Sequence, residues 1–117
     1  MKVTLTKEQS DHLFELGVPR DKAKGAVTTR CMGDWSYSDA FNMDDLLTII
    51  PNEIDASNFY MIGVADGYDV GYSHYKNGEL YSMDDELDIV MFHSKYLVDA
   101  LYELVVWLIK IHILEFK

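Results

Sequence analysis

Four histidines are the side chains best suited to acid–base catalysis or metal binding: His12, His74, His93 and His112. Histidine suits such chemistry because its ring titrates near neutral pH. No two of them have the i, i+4 spacing that places two metal ligands on one helix face. His74 and His93 could meet only if two strands bring them together. The spacing therefore favours ordinary surface or hairpin histidines.

Cys31 is the single cysteine, and paired with a distant histidine it could act as a nucleophile. Arg30 is the only adjacent cation that would favour a reactive thiolate. A lone cysteine is more often a small buried apolar residue, and we expect that role here. Without a second cysteine there is no internal disulfide, which favours a reducing, cytoplasmic location.

A dense group of acidic residues raises the question of calcium binding: Asp66, Asp69, Asp84, Asp85, Glu86 and Asp88. Their spacing does not match the twelve-residue calcium loop with its closing glutamate. Glycine-rich phosphate loops and nucleophile-elbow motifs are also missing from the sequence. We predict no catalytic residue, no metal site and no cofactor.

The acidic charge is concentrated in the middle of the chain. The net charge is −10, and residues 34–94 hold one lysine against thirteen aspartates and glutamates. Such a surface repels nucleic acid phosphates and anionic membranes, and it can attract a basic protein surface. We predict a protein partner rather than direct nucleic-acid or membrane binding.

Tyrosines crowd the same middle segment. Tyrosine is enriched at protein interfaces because its ring buries area while its hydroxyl stays hydrated. The alternative is that tyrosine suits half-buried strands. The candidate protein-interaction surface consists of Tyr68, Tyr72, Tyr75, Tyr81, Asp84, Asp85 and Glu86.

The chain of 117 residues has the length of a single domain, 1–117. The first elements that must position the candidate residues are short helices. Thr6 with Gln9 forms a capping-box pattern that predicts a helix over 7–16, ended by glycine and proline. Residues 20–27 could form a second short helix, and 28–40 are predicted to form an ordered loop. Asn42 caps a further helix over 43–50.

Strand patterns follow. Residues 59–65 and 70–76 are rich in β-branched and aromatic types, separated by a turn at 66–69. Asn77-Gly78 is a type I′ hairpin signal that pairs Lys76 with Glu79, Tyr75 with Leu80 and His74 with Tyr81. A second turn is expected at 84–86. Residues 87–92 are predicted to form a fourth strand, with a helix as the alternative.

The stretch from Ser94 to Lys117 predicts an amphipathic helix with Ser94 as its cap. Its charged residues disfavour a membrane span. After Val105 the helix is apolar all round, so it must be covered on a second side, by the N-terminal helices or by another copy. The candidate oligomer interface consists of Val106, Trp107, Ile109 and Ile113.

Together these elements predict an α+β fold. An antiparallel β-meander of three to four strands packs against a long C-terminal helix, with short N-terminal helices beside it.

Three segments, Leu13–Pro19, Phe41–Pro51 and His93–Ile109, resemble in matching order parts of small acidic proteins of Bacteroides-type phages and conjugative elements. No activity is known for those proteins, so the resemblance implies a bacterial or phage cytoplasmic protein and no catalytic residue. One departure is Lys110–Leu114, since those proteins end this helix earlier with a glycine or asparagine cap.

The leading functional hypothesis is a non-enzymatic binding or regulatory accessory protein of a phage or mobile element, acting through protein–protein contacts. A sharper version is an acidic nucleic-acid mimic that inhibits a host protein. The alternatives are a small enzyme that uses Cys31 or a histidine, and a self-assembling structural protein or homodimer built on the apolar final helix.

Overall fold

The structure is a computed structural model that describes residues 2–54, 57–73, 75–76, 79–80 and 88–115. Its elements in chain order are α1 (Lys7–Glu15), a 3-10 helix (Arg20–Lys22), β1 (Gly25–Cys31), β2 (Asp34–Ala40), α2 (Met43–Ile49), β3 (Glu53–Ile54), β4 (Ser57–Val64), β5 (Gly67–Ser73), β6 (Tyr75–Lys76), β7 (Glu79–Leu80), β8 (Asp88–Ser94) and α3 (Leu97–Lys110). The predicted α+β class is confirmed, with the C-terminal helix packed on an antiparallel sheet.

Capping boxes start both α1, where one was predicted, and α2, where only the Asn42 cap was predicted. The Thr6 hydroxyl accepts a hydrogen bond from the Gln9 backbone N–H at 3.1 Å, and the Gln9 side chain accepts one from the Thr6 N–H at 3.0 Å. Asn42 and Asp45 form the same reciprocal pair at α2, at 2.8 and 3.0 Å. These local bonds satisfy N–H groups that a helix start leaves without partners.

The main sheet has the strand order β3-β4-β5-β8, and all its pairs are antiparallel. The predicted fourth strand is confirmed as β8, but it pairs directly with β5. The predicted hairpin forms as β6–β7, with Lys76 opposite Glu79 and Tyr75 opposite Leu80, outside the main sheet. The main sheet thus keeps the predicted antiparallel, sequential order, with the β6–β7 hairpin inserted between β5 and β8 instead of supplying a strand. The predicted pair of His74 with Tyr81 and the turn at 84–86 lie outside the described residues.

The connection between β4 and β5 is tighter than predicted. It is a turn at residues 65–66, and β5 already begins at Gly67 rather than at residue 70. Gly67 permits this early start because the backbone of β8 passes very close to it. A Cβ atom built on Gly67 would lie 2.2 Å from the carbonyl oxygen of Ser94.

The core forms where α3 packs on β5 and β8, with α2 beside it. Phe92 of β8 meets Trp107 of α3 edge-on, with ring centroids 6.5 Å apart. The buried residues of this amphipathic helix are Val98, Ala100, Leu101, Leu104, Val105 and Leu108. Burial of such side chains stabilises the fold by about 25 cal/mol per Å² of apolar surface.

Polar contacts tie the N-terminal segment to α3. Lys2 Nζ lies 2.7 Å from Asp99 Oδ1, and the Gln9 amide donates to the same carboxylate oxygen at 3.1 Å. His12 Nδ1 and the Tyr102 hydroxyl oxygen are 2.5 Å apart. Chain segments at opposite ends of the sequence are thereby held against each other.

The predicted limits of the final helix were wrong at both ends. Ser94 is the last residue of β8, paired with Tyr68, so it cannot cap the helix, which begins at Leu97 after an uncapped Tyr96. The helix ends at Lys110, and His112 adopts a left-handed φ of 64°. This left-handed residue reverses the chain in the way that glycine usually does at helix ends.

Residues 28–40, predicted to be a loop, form a long hairpin with the residues before them. Strands β1 and β2 pair in register from Gly25–Ala40 to Cys31–Asp34. Met32 and Gly33 make the turn with φ of 53° and 87°, the two positive values that a type I′ turn requires. The predicted helix over 20–27 is limited to the 3-10 helix. We call the hairpin Gly25–Ala40 the arm.

Candidate interaction surfaces

The arm presents large apolar side chains to solvent. Met32 at its tip is 97% exposed, Trp35 is 63% exposed and Tyr37 is 78% exposed. Trp35 and Tyr37 are two residues apart on β2, so they lie on the same face of the hairpin. We call Trp35 and Tyr37 the aromatic face. Large exposed aromatic side chains grouped in this way are typical of protein-binding surfaces.

The outer part of the arm extends into solvent. Its residues from Met32 to Tyr37 are all exposed, Ser38 is half-buried, and Ala40 is buried. The radius of gyration, 15.8 Å, exceeds the roughly 13 Å of a compact domain of this length. A hairpin that projects from the core contributes to such an elongated outline.

The base of the arm is held firmly. The Asp45 carboxylate of α2 accepts hydrogen bonds from the backbone N–H groups of Lys24 at 2.8 Å and Gly25 at 3.3 Å. At the other strand, the Phe41 N–H donates to the buried Ser10 hydroxyl at 3.2 Å. Two helices thus fix the point where the arm leaves the core, and with it the direction of the aromatic face.

Comparison of this chain with protein-family models, with curated proteins and with solved structures gave no match. Any assignment of function therefore rests on the geometry of the chain itself.

The predicted interaction surface of tyrosines and acidic residues includes one residue that is not on the surface. The prediction for Tyr72 was wrong, because its side chain is fully buried and its hydroxyl donates a hydrogen bond to the Pro51 carbonyl oxygen at 2.6 Å. Burial raises the pKa of this phenol above its ordinary value, so the donor proton is retained. Tyr68 is half-buried on the same strand. The backbone of Tyr75 lies in β6. Outside the described residues lie Tyr81, Asp84, Asp85 and Glu86.

The predicted oligomer interface on α3 is partly covered by the chain's own core. Val106, Trp107 and Ile109 are half-buried and pack against core residues. Ile113, beyond the helix end, is 42% exposed. The sequence predicted that other elements would pack on the second apolar side of this helix, and α2 is one element that contacts α3. A dimer formed through these four residues stays a prediction.

His74 lies outside the described residues, and the other candidate chemical residues have structural partners. His12 contacts the Tyr102 hydroxyl, and His93 lies between two aspartates, 2.7 Å from Asp69 and 3.5 Å from Asp66. Across the arm, the backbone of Cys31 pairs with Asp34. Within the part of the chain that the structure describes, no group of three or more His, Cys, Asp or Glu residues is arranged to hold a metal ion.

His93 is expected to titrate above its ordinary pKa. The hydrogen bond to Asp69 raises the pKa of the imidazole, and the charge of Asp66 adds to this effect. Because the folded-state pKa is the higher one, the pair stabilises the fold below the ordinary pKa of histidine. That contribution is lost as pH rises through the folded value. Asp69→Asn should lower the pKa measured by NMR titration, whereas Asp44→Asn should leave it unchanged. An unchanged His93 titration in Asp69→Asn would contradict the assignment.

None of the helices, among the residues described, combines the length and the hydrophobicity needed to cross a membrane.

Proposed function

We propose that this protein is a non-enzymatic binding protein that acts by contacting another protein through the aromatic face of the arm. The observation that carries the proposal is the exposure of Met32, Trp35 and Tyr37 on one projecting hairpin. Burying a large aromatic ring on binding is favourable, and such residues dominate the binding energy of many interfaces.

The charge of the arm supports a protein partner over a nucleic acid. The arm contains one arginine and two aspartates, Asp34 and Asp39, within a chain of net charge −10. Aromatic platforms that stack on nucleobases come with a positively charged groove for the phosphates. An acidic arm lacks that attraction, and its rings favour a partially apolar protein surface.

The anchored base makes the arm suitable for recognition. Asp45 and Ser10 hold the two strands where they leave the core. A preorganised binding element loses less conformational entropy on association than a mobile loop does. The further proposal that the protein serves a phage or mobile element rests on the resemblance of its three helix-rich segments alone.

The proposal can be tested by placing a photo-crosslinking residue at Tyr37 in one variant and at Ser38 in a matched control. Ser38 neighbours Tyr37 but belongs to the opposite face of the arm. In the native host, position 37 should crosslink to a defined protein and position 38 should not. Equal crosslinking from both positions, or none from either, would refute the proposal.

Once that protein is identified, Trp35→Ala should weaken binding by at least about thirty-fold, the size of an interface hot spot. Ser38→Ala should change the affinity by less than about two-fold, because hot spots are few and surrounded by near-neutral contacts. Trp35 is exposed, and Ser38 is half-buried but loses only a hydroxyl group, so circular dichroism and thermal unfolding of the variants should match the unmodified protein.

A further inference from the structure

Strand β4 has an outer edge that is covered for only part of its length. β3 pairs with it at Ser57 and Asn58, and the Phe59 N–H donates to the Asn52 carbonyl at 2.9 Å. Over the described residues, no strand lies beside this edge from residue 61 to residue 64. Within that part of the structure, these four positions form an open strand edge.

The backbone groups that face this edge follow from the alternation of a strand. The N–H of Phe59 points outward, toward Asn52, so the N–H and C=O groups of Met61 and Gly63 point outward as well. The groups of Ile62 point inward, toward β5. The open edge thus offers two donors and two acceptors.

Sequence features that usually protect an open edge are missing from β4. Lysine, proline and inward charges prevent edges from pairing with other chains, but Ser57–Val64 contains no charged residue and no proline. Its outer part is apolar and accessible: Met61 is 44% exposed, Ile62 46% and Val64 39%. An accessible, unprotected edge of this kind is suited to pairing with another strand.

The charge distribution and the shape of this edge favour a second copy of the same chain. A basic partner would be drawn to the acidic surfaces, whereas two copies of a chain with net charge −10 can approach closely only along an uncharged strip. β4 is such a strip. The two residues whose backbone groups point outward, Met61 and Gly63, are symmetric about Ile62, so a twofold axis there pairs each with the other.

We propose that two copies of this chain associate through antiparallel pairing of β4 with β4, with the twofold axis at Ile62. Met61 of each copy then faces Gly63 of the other, and these pairs exchange four hydrogen bonds that use every outward group. Glycine leaves room beside the methionine side chain. The strand ends at Val64, before it would meet β3 of the second copy.

The contact is short, so the dimer should form at high protein concentration and dissociate on dilution. Sedimentation measured up to roughly 1 mM, a range that detects weak association, should show a mass that approaches twice the 13.5 kDa of one chain. Ile62→Lys adds the charge that protects natural edges and should keep the monomer mass throughout. Met91→Lys is the matched control, because Met91 is 51% exposed on the same sheet face but on β8.

Amide hydrogen exchange on the unmodified protein gives a second readout that depends on no variant. Exchange at Met61 and Gly63 should slow as protein concentration rises, whereas exchange at Ile62 should be slow at all concentrations. A monomer mass over the whole range overturns the proposal. A dimer that persists in Ile62→Lys, as expected for an interface on α3, also overturns the proposal. Amide exchange at Met61 and Gly63 that does not depend on protein concentration has the same consequence.

Discussion

Replacing Gly67 by alanine is expected to destabilise the fold by at least about 3 kcal/mol, the upper range for forcing extra atoms into a packed site. The added Cβ would lie 2.2 Å from the Ser94 carbonyl oxygen and 2.9 Å from the Lys95 Cα, both backbone atoms. Neither can rotate away as the end of a side chain could. Strands β5 and β8 would have to separate where the chain enters α3, and urea denaturation should record the loss.

Gly63→Ala provides the matched control for this prediction. It lies on the adjacent strand, opposite Tyr68, and its added Cβ would meet only the Tyr68 ring at 3.8 Å, an ordinary contact. Its stability should stay within about 1 kcal/mol of the unmodified protein, the size of a tolerated glycine-to-alanine change. The two variants should be compared at low concentration, where β4 pairing is absent. Similar free energies of unfolding for Gly67→Ala and Gly63→Ala would contradict the close approach of the Ser94 backbone to Gly67.

Removing the Asp45 carboxylate is the second change with a large expected effect. Asp45 is only 6% exposed, and one of its oxygens accepts hydrogen bonds from the backbone N–H groups of Asn42, Lys24 and Gly25. Asp45→Ala leaves these three donors without this acceptor and removes half of the α2 capping box. We expect a loss of about 3 kcal/mol in the free energy of unfolding.

Asp44→Ala is the control, because Asp44 is exposed in the same first turn of α2. Its carboxylate interacts favourably with the helix dipole, so its removal should cost less than about 1 kcal/mol. Asp45→Asn should give an intermediate loss, since an amide keeps one acceptor but not the charge. Equal losses in Asp44→Ala and Asp45→Ala would contradict the role assigned to Asp45. Amide exchange at Lys24 and Gly25 should also accelerate in Asp45→Ala alone.

The parts of the fold that the sequence predicted are those set by local chemistry. The capping pairs at Thr6 and Asn42 and the Asn77-Gly78 signal act over a few residues, so α1, α2 and the β6–β7 register could be predicted without tertiary information. The direct pairing of β5 with β8 could not, because it depends on a contact between residues about twenty positions apart. Ser94 was misassigned for the same reason, since its place in β8 is set by Tyr68 across the sheet.

The arm escaped prediction because its sequence lacks the signals that identify a half-buried strand. A strand with one buried face alternates apolar and polar residues, but β2 exposes both faces from Asp34 to Tyr37 and so has no such pattern there. Its turn residues are Met32 and Gly33, and methionine is unusual at a positive φ. The burial of Tyr72 could have been predicted, because the alternation of side chains along β5 places Tyr72 on the same face as Val70, which is also buried.

The contacts between the first and last helices affect how the chain folds as it is synthesised. Lys2 and Asp99 are separated by 97 positions, and His12 and Tyr102 by 90. Contacts of such high sequence separation slow folding, because a long loop must close before they form. A nascent chain therefore forms these polar contacts only after α3 has left the ribosome. Contacts with Phe41 can form much earlier, through its ring against Phe14 and its carbonyl oxygen, which accepts a hydrogen bond from the Leu5 N–H at 2.8 Å.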